Sequence, residues 1–153
     1  MSLTVTTRAD RDIVLTRTFN APSTLVFDAW TKPELLVRWY GARGWHLIEC
    51  DVDLRVNGAW RFVSSGPNKE IMVQSGMYQG ISAPNRLTYT EKFDNQSYPG
   101  ETLVTHVFVE RSARTTVTST LRYPSRDARD IVLRYPMARG VGEAFDRLDE
   151  LLQ

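Results

Sequence analysis

The chain has 153 residues, 42% of them hydrophobic and 24% charged, which suits one domain with a substantial core and argues against disorder. Nineteen basic residues against eighteen acidic ones leave a net charge of +1, without the basic excess that nucleic-acid or membrane-surface binding requires. No apolar run approaches the roughly 18 residues that span a bilayer, and the single cysteine, Cys50, precludes an internal disulfide, so a cytoplasmic location is expected.

Residues 1–11 are rich in Thr, Ser, Asp and Arg and read as a loose lead-in. Ile13 to Phe19 alternates in the period of a first strand. Asn20-Ala21-Pro22-Ser23 breaks it, with Asn20 or Ser23 as the cap of a following helix. Leu25, Val26, Ala29 and Trp30 repeat at helical spacing. A second short helix opens at Pro33 and ends near Trp39, before Tyr40-Gly41.

From Trp45 the period becomes two. His46, Ile48, Cys50, Val52 and Leu54 are expected on the inner face, and Leu47, Glu49, Asp51 and Asp53 on the outer. Asn57-Gly58 marks a two-residue hairpin into a strand over Ala59 to Val63. Further strands are expected over Glu70 to Gln79, Arg86 to Phe93, Thr102 to Glu110 and Arg114 to Tyr123, with turns at Ser65 to Asn68 and Ser82 to Asn85 and a loop from Asp94 to Gly100.

Met137, Val141, Ala144, Phe145, Leu148, Leu151 and Leu152 form the stripe of a final amphipathic helix, which must bury that face against the sheet. Tyr135-Pro136 interrupts the helical region, because an interior proline costs about 3 kcal/mol. The expected form is a short helix over Asp127 to Arg134, then the main helix from Met137. Arg126, Arg129, Arg134 and Arg139, interleaved with Asp127, Asp130 and Glu143, read as a solvated face. The order is α+β: a strand, two short helices, about six further antiparallel strands and a long helix.

A bent sheet gripping a helix leaves a cavity unless large side chains fill it. The inward positions Trp60, Phe62, Tyr89, Phe93, Val104, His106, Phe108, Val117, Ser119 and Leu121 either fill that core or line the cavity. Glu91, between Tyr89 and Phe93, and His106, between Val104 and Phe108, break the apolar pattern. Pointing inward, they would meet near Ser119 as an acid/base pair, as polar anchors for a ligand, or as a structural pair. His46 and Cys50 could share an inner face as a thiol pair, though a small core cysteine is the simpler reading; two histidines and one cysteine lack metal-site spacing.

Several segments together carry a family resemblance. They are Phe19-Asn20-Ala21-Pro22 with Val26 to Thr31; Leu36-Val37-Arg38-Trp39-Tyr40-Gly41; Asp53 to Phe62; Gly76-Met77-Tyr78; Pro84 to Leu87; Thr90 to Phe93; and Arg147 to Leu152. In this order they resemble the START-like (SRPBCC, birch-pollen-allergen) superfamily, and within it the subgroup related to the activator of heat-shock protein 90 ATPase. The resemblance implies a helix-grip fold: a curved antiparallel sheet of about six to seven strands around a long C-terminal helix, enclosing an apolar cavity. It implies little chemistry, since one fold serves many functions.

The expected function is binding of a small hydrophobic or amphipathic molecule. Trp39, Trp60, Phe62, Tyr89, Phe93, Phe108, Met137 and Val141 would give contact, and Glu91, His106, Ser119 and Tyr123 polar anchoring. No cofactor or metal is called for. The alternatives are a cavity enzyme of cyclase or hydrolase type using Glu91 and His106, and a partner of a heat-shock protein 90 homologue. Homodimerisation is compatible with the resemblance, but no exposed stripe specifies it.

Overall fold

The computed structural model describes residues 2–153. Eight strands form one antiparallel sheet: β1 Thr4–Arg8, β2 Asp12–Phe19, β3 His46–Val52, β4 Ala59–Ser65, β5 Ile71–Ser82, β6 Arg86–Phe93, β7 Thr102–Arg111 and β8 Arg114–Arg122. Four helices accompany them: α1 Ser23–Thr31, α2 Pro33–Trp39, α3 Arg126–Leu133 and α4 Met137–Leu151. The strand order is β1-β2-β8-β7-β6-β5-β4-β3. The chain therefore places β2 beside β8, while β3 to β8 follow one another as a meander.

The sheet has one strand more than the six to seven expected. Residues read as a loose lead-in supply it: Thr4 to Arg8 pair with Thr16 to Asp12. Their side chains are mostly exposed, so β1 is an edge strand held by its backbone ladder rather than by a buried face.

The hairpin reading at Asn57-Gly58 is also corrected. β3 stops at Val52, and residues 53–58 form the connection, with Asn57 at φ 68°. Asp53, Arg55 and Gly58 bond to one another through their backbones, which tightens a longer loop than a two-residue turn. A register shift between Leu47 and Glu49 corrects the faces of β3. A bulge there turns Leu47 into the core and leaves His46 and Ile48 exposed, while Cys50 and Val52 stay on the inner side. Leu54, beyond the strand, is exposed.

Neither Asn20 nor Ser23 caps α1 by its side chain; Pro22 holds the cap position. Glu110 of β7 takes that role from a distance. Its Oε1 accepts from the Ser23 N–H at 2.7 Å and from the Ser23 hydroxyl at 3.1 Å. Pro33 opens α2 as expected, and the Trp39 Nε1–H donates to the Ala29 carbonyl at 2.9 Å, fastening α2 to α1.

The break at Tyr135-Pro136 lies where the sequence places it. α3 begins with Ser125 as N-cap, its side chain accepting from the Ala128 N–H at 3.0 Å. Arg129 is not on a solvated face: it is buried and donates to the Ala9 carbonyl at 3.3 Å.

α4 buries Ala144, Phe145 and Leu148. Two arginines fasten its second half. Arg17, buried on β2, pairs with Asp146 at 2.7 Å and Asp149 at 3.7 Å. Arg147 donates to the carbonyls of Arg38, Gly41 and Trp45, each at 3.2 Å. The apolar interior falls into two clusters. The larger joins α1, α2 and α4 to the sheet through Phe19, Trp30, Trp39, Phe108 and Phe145; the smaller contains Ile13, Leu15, Tyr123 and Ala128.

Candidate functional site

A cavity of about 650 Å³ lies between these two clusters, drawing wall residues from both. Leu15, Val104 and Leu121 of the sheet and Met137, Val141 and Phe145 of α4 line it. Its rim includes the exposed Tyr135, together with Gly41, Ala42 and the loop residues Asn95 to Tyr98. Gln96 orders that loop. Its carbonyl accepts from the Phe93 N–H at 3.1 Å, and its amide donates to the carbonyls of Tyr98 at 2.8 Å and Gly100 at 2.7 Å.

Of the residues expected to line a site, Trp39, Tyr89, Glu91, Phe93, His106, Ser119, Tyr123, Met137 and Val141 do line the cavity. Trp60, Phe62 and Phe108 do not; they are buried in the larger cluster behind it. Trp60 packs on Tyr89 at 5.3 Å between ring centroids, and Phe108 packs on Trp30 at 5.6 Å, so they support wall residues instead of forming the wall. Trp30, Tyr40 and Gln74 belong to the wall and were not singled out from the sequence. Gln74 carried a usable signal: it shares the alternation of Met72 and Tyr78, a polar residue at an inward position.

The polar residues form two separate clusters. In the first, Tyr89 and Ser119 flank His106: the phenol oxygen lies 2.8 Å from Nε2 and the Ser119 hydroxyl 2.7 Å from Nδ1. Ser119 is the direct cross-strand neighbour of His106, which explains this contact. In the second, the Gln74 Nε2 donates to the Glu91 Oε2 at 3.1 Å and to the Tyr40 hydroxyl at 2.9 Å.

The expected meeting of Glu91 with His106 does not occur; among the described residues no hydrogen bond or ion pair joins them. Register gives the reason. Glu91 pairs with Thr102 on β7, four positions from His106, or about 13 Å along a strand. A carboxylate-oriented imidazole is therefore not built. The thiol pair is not built either: His46 is exposed, and the Cys50 thiol is pushed up to about 11 by burial first, then by Asp51 and Glu34, so it stays protonated at neutral pH. No cluster of three metal-ligating side chains occurs among the described residues.

Burial sets the protonation of both clusters. It drives His106 down to about 3, so the imidazole is neutral. It raises Glu91 to about 7, against a smaller lowering by the Gln74 hydrogen bond. Glu91 is half-buried, and its side chain lines the cavity. Burial also raises Tyr40 and Tyr89, which remain hydrogen-bond donors at any physiological pH.

These shifts have opposite consequences for stability. From pH 6.5 down to about 3 the unfolded chain binds a proton that folded His106 refuses, so stability is lost as pH falls. From pH 4.5 up to about 7 folded Glu91 keeps a proton that the unfolded chain releases, so stability is lost as pH rises. The Glu91→Gln variant is expected to be more stable than the parent above pH 7, by about 1–3 kcal/mol, with the gap closing below pH 4.5. Urea unfolding at pH 4, 6 and 8 measures this; parallel curves would contradict the burial of Glu91.

The family model described as "Activator of Hsp90 ATPase homolog 1-like protein" matches residues 20–153. The chain belongs to this family. A crystal structure of a Rhodobacter sphaeroides protein is similar at 30% identity, with a TM-score of 0.93, covering 99% of this chain and 98% of that one. A Nitrosomonas europaea protein is similar at 26% identity and a TM-score of 0.85, covering 95% and 96% of the two chains. An HSP90 activator from Plasmodium falciparum is similar at 22% identity and a TM-score of 0.57, covering 73% and 72%, which speaks for the fold alone. No curated protein matches by sequence. The START-like architecture of this Hsp90-activator-like family is thus shared over nearly the full length of its bacterial relatives, and the cavity lies where the sheet grips α4.

Proposed function

We propose that the chain binds a small hydrophobic or amphipathic molecule in the cavity between the sheet and α4. The supporting observation is the cavity itself: about 650 Å³, with mainly apolar and aromatic walls and two internal polar clusters. That volume falls in the range of small-molecule sites, and apolar walls with a few placed polar groups are the usual division between affinity and orientation. Trp39, Tyr89, Phe93, Met137 and Val141 supply contact; Glu91, His106, Ser119 and Tyr123 are the groups available for orientation. Because Glu91 and His106 stand apart, nothing in their arrangement favours acid/base catalysis over binding.

The test is saturable binding of a neutral fluorescent naphthalene probe to the purified protein. The Val141→Trp variant places an indole in the cavity and is expected to weaken binding at least about tenfold while raising or keeping the melting temperature. A parent protein without saturable binding, or a variant that binds as well, counts against the proposal.

The family's description supports a second reading, contact with a heat-shock protein 90 homologue. A pull-down with that chaperone, by the parent and by Val141→Trp, separates the two: a chaperone contact on the outer surface survives the filled cavity. No helix among the described residues is long and apolar enough to cross a membrane.

A further inference from the structure

The charge of the cavity wall is one-sided. Among the described residues lining it there is one carboxylate, Glu91, and no lysine or arginine. The remaining titratable wall groups in or near its polar clusters are His106 and the phenols of Tyr40, Tyr89, Tyr98 and Tyr123. His106 is held neutral by burial, and burial keeps the phenols protonated. No cation therefore faces Glu91 from any element of the wall.

The hydrogen bonding of Glu91 is also incomplete. Its Oε2 accepts from Gln74, whose Nε2 spends its second hydrogen on the Tyr40 hydroxyl. Among the described residues no protein group donates to Oε1. An ionised carboxylate in an apolar cavity is costly unless a cation or further donors meet it. The same wall carries the rings of Trp39, Tyr40, Tyr89 and Phe93, and an aromatic face attracts a cation and repels an anion.

Building on the binding reading above, we infer that the cavity selects hydrophobic amines, held by an ammonium group on Glu91 within the aromatic wall, and rejects hydrophobic carboxylates, sulfonates and phosphates. An ammonium supplies the missing charge and donates to Oε1. An anionic head group loses its hydration, meets Glu91 as a like charge and finds no basic side chain.

The experiment uses two probes of one shape. 1-Anilinonaphthalene is neutral; its 8-sulfonate is the same molecule with an anion attached. On the full chain at pH 8 the neutral probe is expected to bind, and the sulfonate at least about tenfold more weakly. Decylamine and decanoate, both below their aggregation concentrations, are then used to displace the neutral probe. Decylamine is expected to do so at a concentration at least about tenfold lower, and in Glu91→Gln that ratio shrinks to within about threefold. A thermal melt verifies that the variant is folded, and the comparison on the parent chain stands without it. Decanoate equal to or better than decylamine, or a ratio unchanged in Glu91→Gln, overturns the amine assignment while leaving the cavity as a binding site. Failure of the neutral probe itself overturns the binding reading, and the amine assignment with it.

Discussion

Replacing Trp30 by alanine is expected to cost about 3–5 kcal/mol, lowering the melting temperature by about 10–15 °C. Trp30 is buried and stands at the centre of the aromatic network. Its ring meets those of Phe19 at 6.1 Å, Trp39 at 5.0 Å, His106 at 5.3 Å, Phe108 at 5.6 Å and Phe145 at 5.6 Å. These partners come from β2, α2, β7 and α4, so one side chain of α1 joins α2 and α4 to the sheet. The indole also forms part of the cavity wall, so its loss enlarges an existing void instead of creating a closed one. Neighbours with no packing partner on that side have little to collapse onto. Trp30→Phe, which keeps most of the ring contacts, is expected to lose less than half as much. Thermal unfolding of the two variants beside the parent decides the matter; an alanine variant within about 1 kcal/mol of the parent would show that the network carries little of the stability.

The second large effect is expected from one methyl group. Gly76→Ala places a Cβ against the Thr90 carbonyl, on a collision course with its oxygen, and 2.7 Å from Nε1 of Trp60. Neither neighbour can give way freely. The Trp60 Nε1–H donates to that same carbonyl at 3.1 Å, and the Thr90 hydroxyl accepts from the Met77 N–H at 3.0 Å. The expected cost is about 3–5 kcal/mol, from overpacking together with the half-buried hydrogen bond it displaces. Thr90 lies between Tyr89 and Glu91, so a shift of its backbone moves a member of each polar cluster, and probe binding should fall along with stability. Gly80→Ala is the control: the nearest atoms to a Cβ there are 3.7 Å away, an ordinary contact, and the loss should stay within about 1 kcal/mol. Equal melting temperatures for the two variants would contradict the close approach at Gly76.

What could be read from the sequence followed from periodicity and punctuation. The alternation through β6, β7 and β8 correctly turned Tyr89, Glu91, Phe93, His106 and Ser119 inward, and Pro33 and Pro136 correctly divided the helices. Alternation gives a residue's face, however, and not its rung. Glu91 and His106 share the inner face, yet cross-strand pairing sets them four positions apart, and only the register shows this. Bulges are equally silent. The shift between Leu47 and Glu49 moved His46 off the inner face although the residue pattern nearby still alternates. β1 is invisible to periodicity because an edge strand with exposed threonines buries no stripe. Trp60, Phe62 and Phe108 read as cavity residues because sequence reports inwardness without depth, and a curved sheet has inward positions both at the cavity and behind it.

The two arginine fasteners of α4 decide which end of the cavity can open. Asp146, Arg147 and Asp149 lie in the second half of the helix; the first half carries Gly140 and Gly142 and begins at the Pro136 break. The opposite wall is made of strands, whose displacement would break ladder hydrogen bonds. The first turns of α4 are held by apolar contacts around Met137 and Val141 and, at Glu143, by the Arg43 N–H at 3.2 Å, so moving them breaks fewer bonds than moving a strand. Opening this end of the cavity is thus a local event separate from global unfolding, with a smaller free energy, so access to the cavity and thermal stability can be tuned by different residues.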